Sequence, residues 1–148
     1  MDKTYLGLRE QAFALQHDKS INVHLENDKQ VYAALVDIPV RSNIATLFCV
    51  IDGTVSLYYS TGRIDVGLGE KPAIRKAAMS LLVSSGQCLP YMQQCENHEI
   101  DDSVMQFFAF CHDGLKTKRI DLESKEKEDM FLNFLVQNVI TAVRTNLA

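Results

Sequence analysis

The sequence predicts an α+β fold: an antiparallel sheet of about five strands with helices packed on it. Two Asp-Gly pairs, Asp52-Gly53 and Asp113-Gly114, each lie between apolar runs, a pattern typical of β-hairpins. Apolar residues recur at helical spacing near the start, the middle and the end of the chain. The resulting order, α-β-β-β-α-β-β-α, closes most simply as one sheet with helices on one or both faces.

The length and composition predict a single domain spanning residues 1–148. A chain of 148 residues is close to the commonest domain size. Such a chain buries about 68–70% of the surface that it exposes when unfolded, so it needs no disulfide or metal to stabilise its core. With 47% apolar and 23% charged residues, the composition is that of an ordinary globular protein rather than a disordered one.

Charge and hydropathy predict a cytoplasmic protein that binds neither nucleic acid nor membrane. The net charge of −4 provides no general attraction to phosphate backbones or anionic lipid. No run approaches the ~18 apolar residues of a membrane span, and the charged first ten residues do not resemble a signal peptide. In a reducing compartment the cysteines are expected to be free thiols.

The first half of the chain predicts one helix and one central strand. Thr4 to Leu15 has Tyr5, Leu8 and Ala12 at helical spacing. Residues 17–29 are polar and predict a loop, although "INVHL" could also form a short edge strand. Val31 to Val40 is apolar on both faces, as in a buried central strand, and Pro39 ends it because proline lacks a ladder donor.

The first hairpin is predicted to join Ile44–Ile51 to Thr54–Thr61 by a two-residue turn at Asp52-Gly53. This turn would place Val50 opposite Val55 and Phe48 opposite Leu57. One face would then collect the larger apolar side chains and form the core side: Ile44, Phe48, Val50, Val55, Leu57 and Tyr59.

A hairpin followed by a helix occurs twice along the chain. Pro72–Ser85 is predicted to be helical, with proline at the first position and Gly86 after the end. Val104–His112 and Leu115–Leu122 would form the second hairpin around Asp113-Gly114. The last helix, capped by Ser124, is apolar over more than half of its circumference, so it is buried on two sides or meets a second subunit.

The stretch "DGTVSLYYSTGRIDVGLGE", followed by an Ala-rich helix, resembles an uncharacterised bacterial family with the pattern D-G-T-x-S-L-Y-x-S-T-G and a glycine-rich loop. The resemblance covers residues 31–83 and implies no activity, since that family has none assigned. Here Arg63 and Asp65 stand between Gly62 and Gly67, where the family usually has a glycine cluster. By element order alone, the chain also looks like roadblock and profilin-type domains, which are interaction modules that commonly dimerise.

The loop "STGRIDVGLGEKP" is the candidate binding segment. It joins a strand to a helix, an arrangement in which backbone N–H groups can hold an anion. The candidate ligand-binding residues are Arg63, Gly67, Gly69, Lys71 and Arg75. No Walker loop is present, because Leu68 follows Gly67 where a lysine would be needed. The favoured interpretation is structural: the glycines supply positive φ angles in a connection.

No catalytic residue, metal site or cofactor is predicted. Cys88, Cys95 and His98, with Cys111 or His112, lack the paired short spacings of structural zinc sites. The acidic "HEIDDS" segment is typical of a solvated loop, and no nucleophile motif occurs. Asp37 is the carboxylate that requires a partner, since it lies in an otherwise apolar strand.

Both faces of the second hairpin are apolar, so either helices cover both faces or one face is an interface. The sequence favours a non-enzymatic interaction or regulatory module that forms a homodimer and binds an unknown protein partner. The predicted interface residues are Phe108, Phe110, Leu132, Val136 and Ile140. The alternative is a small-molecule or anion-binding domain that uses the Gly62–Lys71 loop.

Overall fold

A computed structural model describes residues 1–22 and 30–147, and it confirms the α+β class. The helices are α1 (Lys3–Phe13), α2 (Lys19–Asn22), α3 (Pro72–Ser85) and α4 (Lys127–Leu147). The strands are β1 (Val31–Val40), β2 (Asn43–Val50), β3 (Val55–Tyr59), β4 (Ile64–Asp65), β5 (Gln93–Gln94), β6 (Met105–Cys111) and β7 (Gly114–Ile120). Of the segment predicted as a loop or edge strand, residues 19–22 form α2 and residues 23–29 lie outside the described part.

The strands form one antiparallel sheet in the order β4-β3-β2-β1-β6-β7-β5. β1 lies in the middle and pairs with β2 on one side and β6 on the other. Its first eight residues are all buried, as the continuous apolar run predicts. Pro39 lies at the end of β1 beside the turn to β2, where the missing donor costs little.

The sheet has seven strands rather than the predicted five or so. The two additional strands, β4 and β5, have two residues each and form the two edges. Such short pairings have no periodicity of their own. They form because the chain passes beside β3 and β7, so no local pattern could have predicted them.

The predicted two-residue turn of the first hairpin is wrong. The N–H of Val50 donates to the carbonyl of Thr54 at 2.9 Å, which leaves a three-residue loop, residues 51–53, between the strands. Gly53 ends this loop at φ +96°, the left-handed conformation that three-residue hairpin loops require. The extra loop residue shifts β3 by one position, so Phe48 lies opposite Ser56 and not Leu57.

This shift also corrects the predicted core face, because side chains alternate between faces along a strand. Val55 and Leu57 belong to the face of Leu47 and Cys49, and Phe48 and Val50 belong to the opposite face. The predicted set therefore combined residues from both sides of the sheet.

The second hairpin turns one residue earlier than predicted. Cys111 pairs with Gly114, so His112 and Asp113 form the turn, and Gly114 has φ +120°. Each residue of β6 therefore lies opposite a residue of β7 two positions from the predicted one, so every side chain stays on its predicted face of the sheet. Phe108 lies opposite Thr117, and both belong to one side of the sheet.

Helices cover the sheet on both faces and create two apolar clusters. The aliphatic cluster lies between the sheet and the α3–α4 layer, and its strand residues include Val36, Leu47, Leu57, Phe107 and Ala109. The aromatic cluster lies under α1 and includes Tyr5, Phe13, Tyr32, Phe48, Phe108 and Phe110. Each strand of the centre thus contributes alternate residues to each cluster, which explains why β1 is apolar throughout.

Candidate functional site

The glycine-rich loop packs against the first hairpin. A Cβ added to Gly69 would lie 1.8 Å from the carbonyl oxygen of Gly53, a contact that no side chain allows. The Nη1 of Arg75 donates to the carbonyl of Gly69 at 3.1 Å, which attaches the loop to the first turns of α3. Gly67 has φ +69° at the start of a 3-10 turn, Leu68–Glu70. Tight packing and backbone conformation therefore account for both glycines.

The structure brings three of the five predicted ligand-binding residues to one cleft. Gly67, Gly69 and Arg75 line a cavity of about 310 Å³, together with Asp52 and Glu70. The two carboxylates at its border disfavour an anion, which is the ligand that the loop would otherwise suit.

The other two predicted residues lie outside this cleft. Arg63 is in the turn between β3 and β4, where its Nη2 is 3.4 Å from Asp65 Oδ2 and its guanidinium lies over the ring of Tyr59. Lys71 is exposed immediately before α3. A binding function of the Gly62–Lys71 loop stays a prediction.

Four of the five predicted interface residues are buried within the chain. Phe108 and Phe110 lie under α1 and contact the ring of Phe13, with centroid distances of 4.9 and 5.9 Å. Leu132 and Val136 are fully buried in the aliphatic cluster, and Ile140 is partly buried against it. Helices thus cover both faces of the second hairpin, and a surface for a second copy has to be sought on other side chains.

A buried ion pair supplies the partner that Asp37 requires. Arg9 on α1 binds it with two hydrogen bonds, Nη2 to Oδ2 at 2.6 Å and Nε to Oδ1 at 3.2 Å. Thr46, the neighbour of Asp37 on β2, donates its hydroxyl to Oδ1 at 2.7 Å. The hydroxyl of Tyr5 completes the chain by donating to Thr46 Oγ1 at 2.7 Å. Burial is the main cause that raises the pKa of Tyr5.

Sequence reasoning missed Arg9, Thr46 and Tyr5 as partners of Asp37. One signal was available: Arg9 is four residues after Tyr5 and four before Phe13, so it lies on the buried stripe of α1. The guanidinium also lies 4.9 Å from the centroid of the Phe13 ring, which favours a cation at this position. The network fixes α1 on the sheet and contains no exposed reactive group.

The polar loop between β5 and β6 is held by contacts to other elements. The ring of His98 stacks on Phe13 at 3.9 Å, and its Nε2 lies 3.0 Å from Glu10 Oε1. Asp101 forms an ion pair with Arg119 on β7, and hydrogen bonds from Ser103 lower the pKa of Asp101 to about 2. Within residues 1–22 and 30–147, no three His, Cys, Asp or Glu side chains are grouped as metal ligands.

The thiols have raised pKa values. Burial raises the pKa of Cys49 to about 12. Burial, with the Asp113 carboxylate beside it, raises the pKa of Cys111 to about 12. Burial also raises the pKa values of Cys88 and Cys95, of which Cys95 is the more exposed side chain. None of these environments activates a cysteine as a nucleophile.

The outer surface of α3 and α4 carries no charge over most of its length. Residues 77–95 and 130–143 contain no Asp, Glu, Lys, Arg or His, although 23% of the chain is charged. On this surface Phe134 is 60% exposed, Met130 is 58% exposed and Val83 is 74% exposed. We call it the helical face, and define it by Ala73, Ala77, Ser80, Val83, Met130, Phe134, Asn138 and Thr141.

A cleft of about 460 Å³ runs between the two helices of the helical face. Ala73 and Asn146 line the same cleft, as do Ser80 and Leu135, so α3 and α4 are antiparallel. Phe134 is one turn before Asn138 and continues the same side of α4. The side chains are small on α3 and larger on α4, so this surface is uneven in shape as well as apolar.

Comparison of the chain with protein-family models, curated proteins and solved structures gave no match. The resemblance noted for residues 31–83 therefore stays a prediction. None of the helices in the described part of the chain combines the length and hydropathy that a membrane span requires.

Proposed function

We propose that this chain is a non-enzymatic interaction module that forms a homodimer through its helical face. The observation that carries the proposal is the scarcity of charge on an exposed surface that contains Val83, Met130 and Phe134, where Lys76 lines one end of the cleft. Depletion of charged residues, with Phe and Met exposed, distinguishes the centre of an interface from ordinary surface. α1 and the α3–α4 layer already bury the two faces of the sheet, and the helical face is an apolar surface that stays exposed among the described residues.

The ends of the helical face indicate that its partner is a second copy. Residues 71–76, at the start of α3, contain no acidic residue; Lys71 and Lys76 are exposed there, and Arg75 is engaged by the carbonyl of Gly69. Residues 121–129, before and within the start of α4, contain five acidic and two basic residues, and of the acidic ones Glu126 and Asp129 contact Lys118 of the same chain. Because α3 and α4 are antiparallel, these basic and acidic segments lie at opposite ends of the face.

A twofold axis can pair the charges at both ends of the helical face at once. If the axis lies between the copies and is perpendicular to the helices, the basic end of each copy meets the acidic end of its partner. The uncharged centres then pack on each other, as in an isologous interface. At 1.5 Å per residue, the 14 residues of α3 and the 21 residues of α4 extend about 21 and 31 Å. This length suits the roughly 800 Å² that each partner of a standard interface buries.

The test is the mass of the particle in solution as a function of concentration, by sedimentation velocity and light scattering. The wild-type chain is expected to show a concentration-dependent dimer. Phe134→Glu places a charge at the centre of the helical face and is expected to give monomers at concentrations where the wild type is dimeric. Leu6→Glu is the matched control: Leu6 is a partly exposed apolar residue on α1, beyond the opposite face of the sheet.

Ionic strength tests the orientation of the two copies. Opposite charges at the two ends predict that added salt weakens the dimer, whereas pairing of like ends would make salt strengthen it. Lys76→Glu is expected to weaken the dimer at low salt. A strict monomer throughout the concentration range contradicts the proposal, and so does a Phe134→Glu variant that dimerises like the wild type with unchanged circular dichroism.

The alternative function, anion or small-molecule binding by the Gly62–Lys71 loop, has weaker support. Gly69 is required by its contact with Gly53, and Arg75 is engaged by the loop carbonyl. Asp52 and Glu70 border the same cleft. The loop is accounted for as a structural connection that joins the first hairpin to α3.

A further inference from the structure

A second cavity opens at the end of the sheet, under the C-terminal half of α4. It has a volume of about 380 Å³ and lies where β1 ends, between Ile38 and Leu57 on the sheet and Ile140 and Val143 on the helix. We call it the β1–α4 pocket. Its volume falls in the range of about 300–1,000 Å³ that small-molecule sites occupy, and its walls are mainly apolar, as in such sites.

The pocket is open to solvent through an apolar rim. Val40 and Leu122 border it and are 50% and 60% exposed, whereas Ile38 and Leu57 deeper inside are buried. Ala45 on β2 leaves the space that a larger side chain would fill. The pocket belongs to one chain and shares no residue with the helical face, so this site does not depend on dimer formation.

One positive charge at the mouth has no matching carboxylate. Arg144, in the last turns of α4, lines the pocket, and no carboxylate among the described residues pairs with it. Asp65 lies near Tyr59, outside the pocket lining, and its Oδ2 is 3.4 Å from Arg63 Nη2 in an ion pair without a hydrogen bond. Burial, followed by the charge of Asp65, raises the pKa of Tyr59, so its hydroxyl adds no negative charge to the site at neutral pH. Gln137 supplies a further polar group.

We propose that the β1–α4 pocket binds a free aliphatic carboxylate of medium chain length. The alkyl chain lies against Leu57, Ile140 and Val143, and the carboxylate binds Arg144 with Gln137 beside it. An apolar body with a single anionic head matches an apolar cavity that has one surplus guanidinium at its mouth, since guanidinium groups bind carboxylates in a planar, two-bond geometry.

The experiment compares three ligands of equal chain length: decanoate, decanol and decyltrimethylammonium, each kept below the concentration at which it aggregates. Calorimetry gives the affinities, and methyl NMR signals of Leu57, Ile140 and Val143 report the location. Decanoate is expected to bind saturably and to shift these signals. Decanol and the cation are expected to bind at least about tenfold more weakly, the loss typical of a hydrogen bond to a charged group.

Two variants separate the charge from the cavity. Arg144→Gln is expected to weaken decanoate binding about tenfold and to leave decanol unaffected, because only the charged contact is lost. Lys3→Gln removes an exposed charge outside both the pocket and the helical face, and it is the matched control. Ala45→Leu fills the cavity and is expected to abolish binding of both ligands; Arg144→Gln changes an exposed side chain and keeps the test valid if Ala45→Leu does not fold.

Three results would overturn the proposal. The first is the absence of saturable decanoate binding. The second is decanol binding as tightly as decanoate, which would reveal an apolar surface without a carboxylate site. The third is an equal loss of affinity in Lys3→Gln and Arg144→Gln, which would reveal a general charge effect.

Discussion

The two faces of the sheet are buried by different chemistry. The aliphatic face packs Leu, Val and Ala side chains against α3 and α4, which together supply 35 helical residues. The opposite face is covered by α1, which has 11 residues, and it combines aromatic rings with a buried ion pair, Arg9–Asp37. A short helix offers little apolar area, so its position is specified by directional contacts: ring edges, a bidentate pair and two hydroxyls.

The two faces should therefore differ in the substitutions that they tolerate. Aliphatic packing accepts substitutions that conserve volume, because its attractions have no preferred direction. A buried ion pair does not, since removing one partner leaves an unpaired charge in a region without water. Four experiments test this difference between the faces, in order of decreasing effect on the folded chain.

The Arg9–Asp37 pair provides the strongest test. Arg9→Met is expected to destabilise the chain by about 3–5 kcal/mol, because Asp37 would remain buried without its cation. The double variant Arg9→Met/Asp37→Leu is expected to recover most of that loss, since replacing both partners by apolar groups is often neutral. Urea unfolding measures both. A loss below about 1 kcal/mol in the single variant would show that α1 is held by its rings alone.

Alanine substitutions at two glycines are expected to have the next largest effect on stability, and they compare the two sides of the sheet. Gly69→Ala, on the α3 side, is expected to cost about 1–3 kcal/mol, because its Cβ would overlap the Gly53 carbonyl. Gly7→Ala, in α1, has no atom within 4 Å of the added Cβ and is expected to stabilise by about 0.5–1 kcal/mol. Thermal unfolding measures both changes. Equal effects at the two positions would contradict the close packing of the loop on the hairpin.

The rates at which the cysteines react with a thiol reagent compare the accessibility of the two faces of the sheet. Cys49, Cys88 and Cys111 belong to the aliphatic face, and Cys95 borders the aromatic one. We expect a thiol reagent to label Cys95 first in the folded chain, because the pKa of about 12 for Cys49 and Cys111 leaves almost no thiolate near neutral pH.

Because the pKa of Cys95 is also raised, its labelling should accelerate as the pH rises above the ordinary thiol value. Cys95→Ser should remove the fast phase. Labelling of Cys49 at the same rate as Cys95 would indicate that the aliphatic face opens readily.

The smallest effect concerns the ion pair of the α4 side, Lys118–Asp129, with Nζ and Oδ1 2.7 Å apart. Burial alone would lower the pKa of Lys118, but the hydrogen bond and charge of Asp129 outweigh it and the net shift is upward. The raised pKa means that the pair stabilises fully below the ordinary lysine pKa and is lost as the pH rises through the folded value.

The difference in melting temperature between wild type and Lys118→Met should therefore shrink from pH 8 toward pH 11. The side chains of this pair are 15% and 7% exposed, against 4% and 1% for Arg9–Asp37, so Lys118→Met leaves a less deeply buried carboxylate unpaired and should cost less stability than Arg9→Met. If the difference in melting temperature grew with pH, the pair would stabilise the chain more at high pH, which is the opposite of this prediction.

The fold class was predictable from the sequence because its main signals are local. Pro72 and Ser85 are the observed bounds of α3, and Val31–Val40 is the observed central strand, since both segments combine strong periodicity or apolar runs with clear stop signals. The hairpins were predictable as hairpins but not in register. An Asp-Gly pair suits both a two-residue turn and the end of a three-residue loop, and only the surrounding sheet decides between them.

The candidate sites were much less predictable. The buried status of Phe108 and Leu132 depends on where α1 and α4 dock, which no local pattern gives. The partner of Asp37 lies 28 residues away, so the unusual carboxylate was visible in the sequence but its arginine was not. The β1–α4 pocket exists because Ala45 and Arg144 meet across the fold, and neither residue is unusual where it stands in the chain.

The brevity of β4 and β5 has a consequence for the size of any assembly. With two residues each, β4 and β5 present few free N–H and C=O groups, so these border strands offer little template for adding another strand. Association through a self-complementary helical surface consumes that surface in a single event. Copies of this protein that meet in this way would stop at a pair rather than grow into fibres.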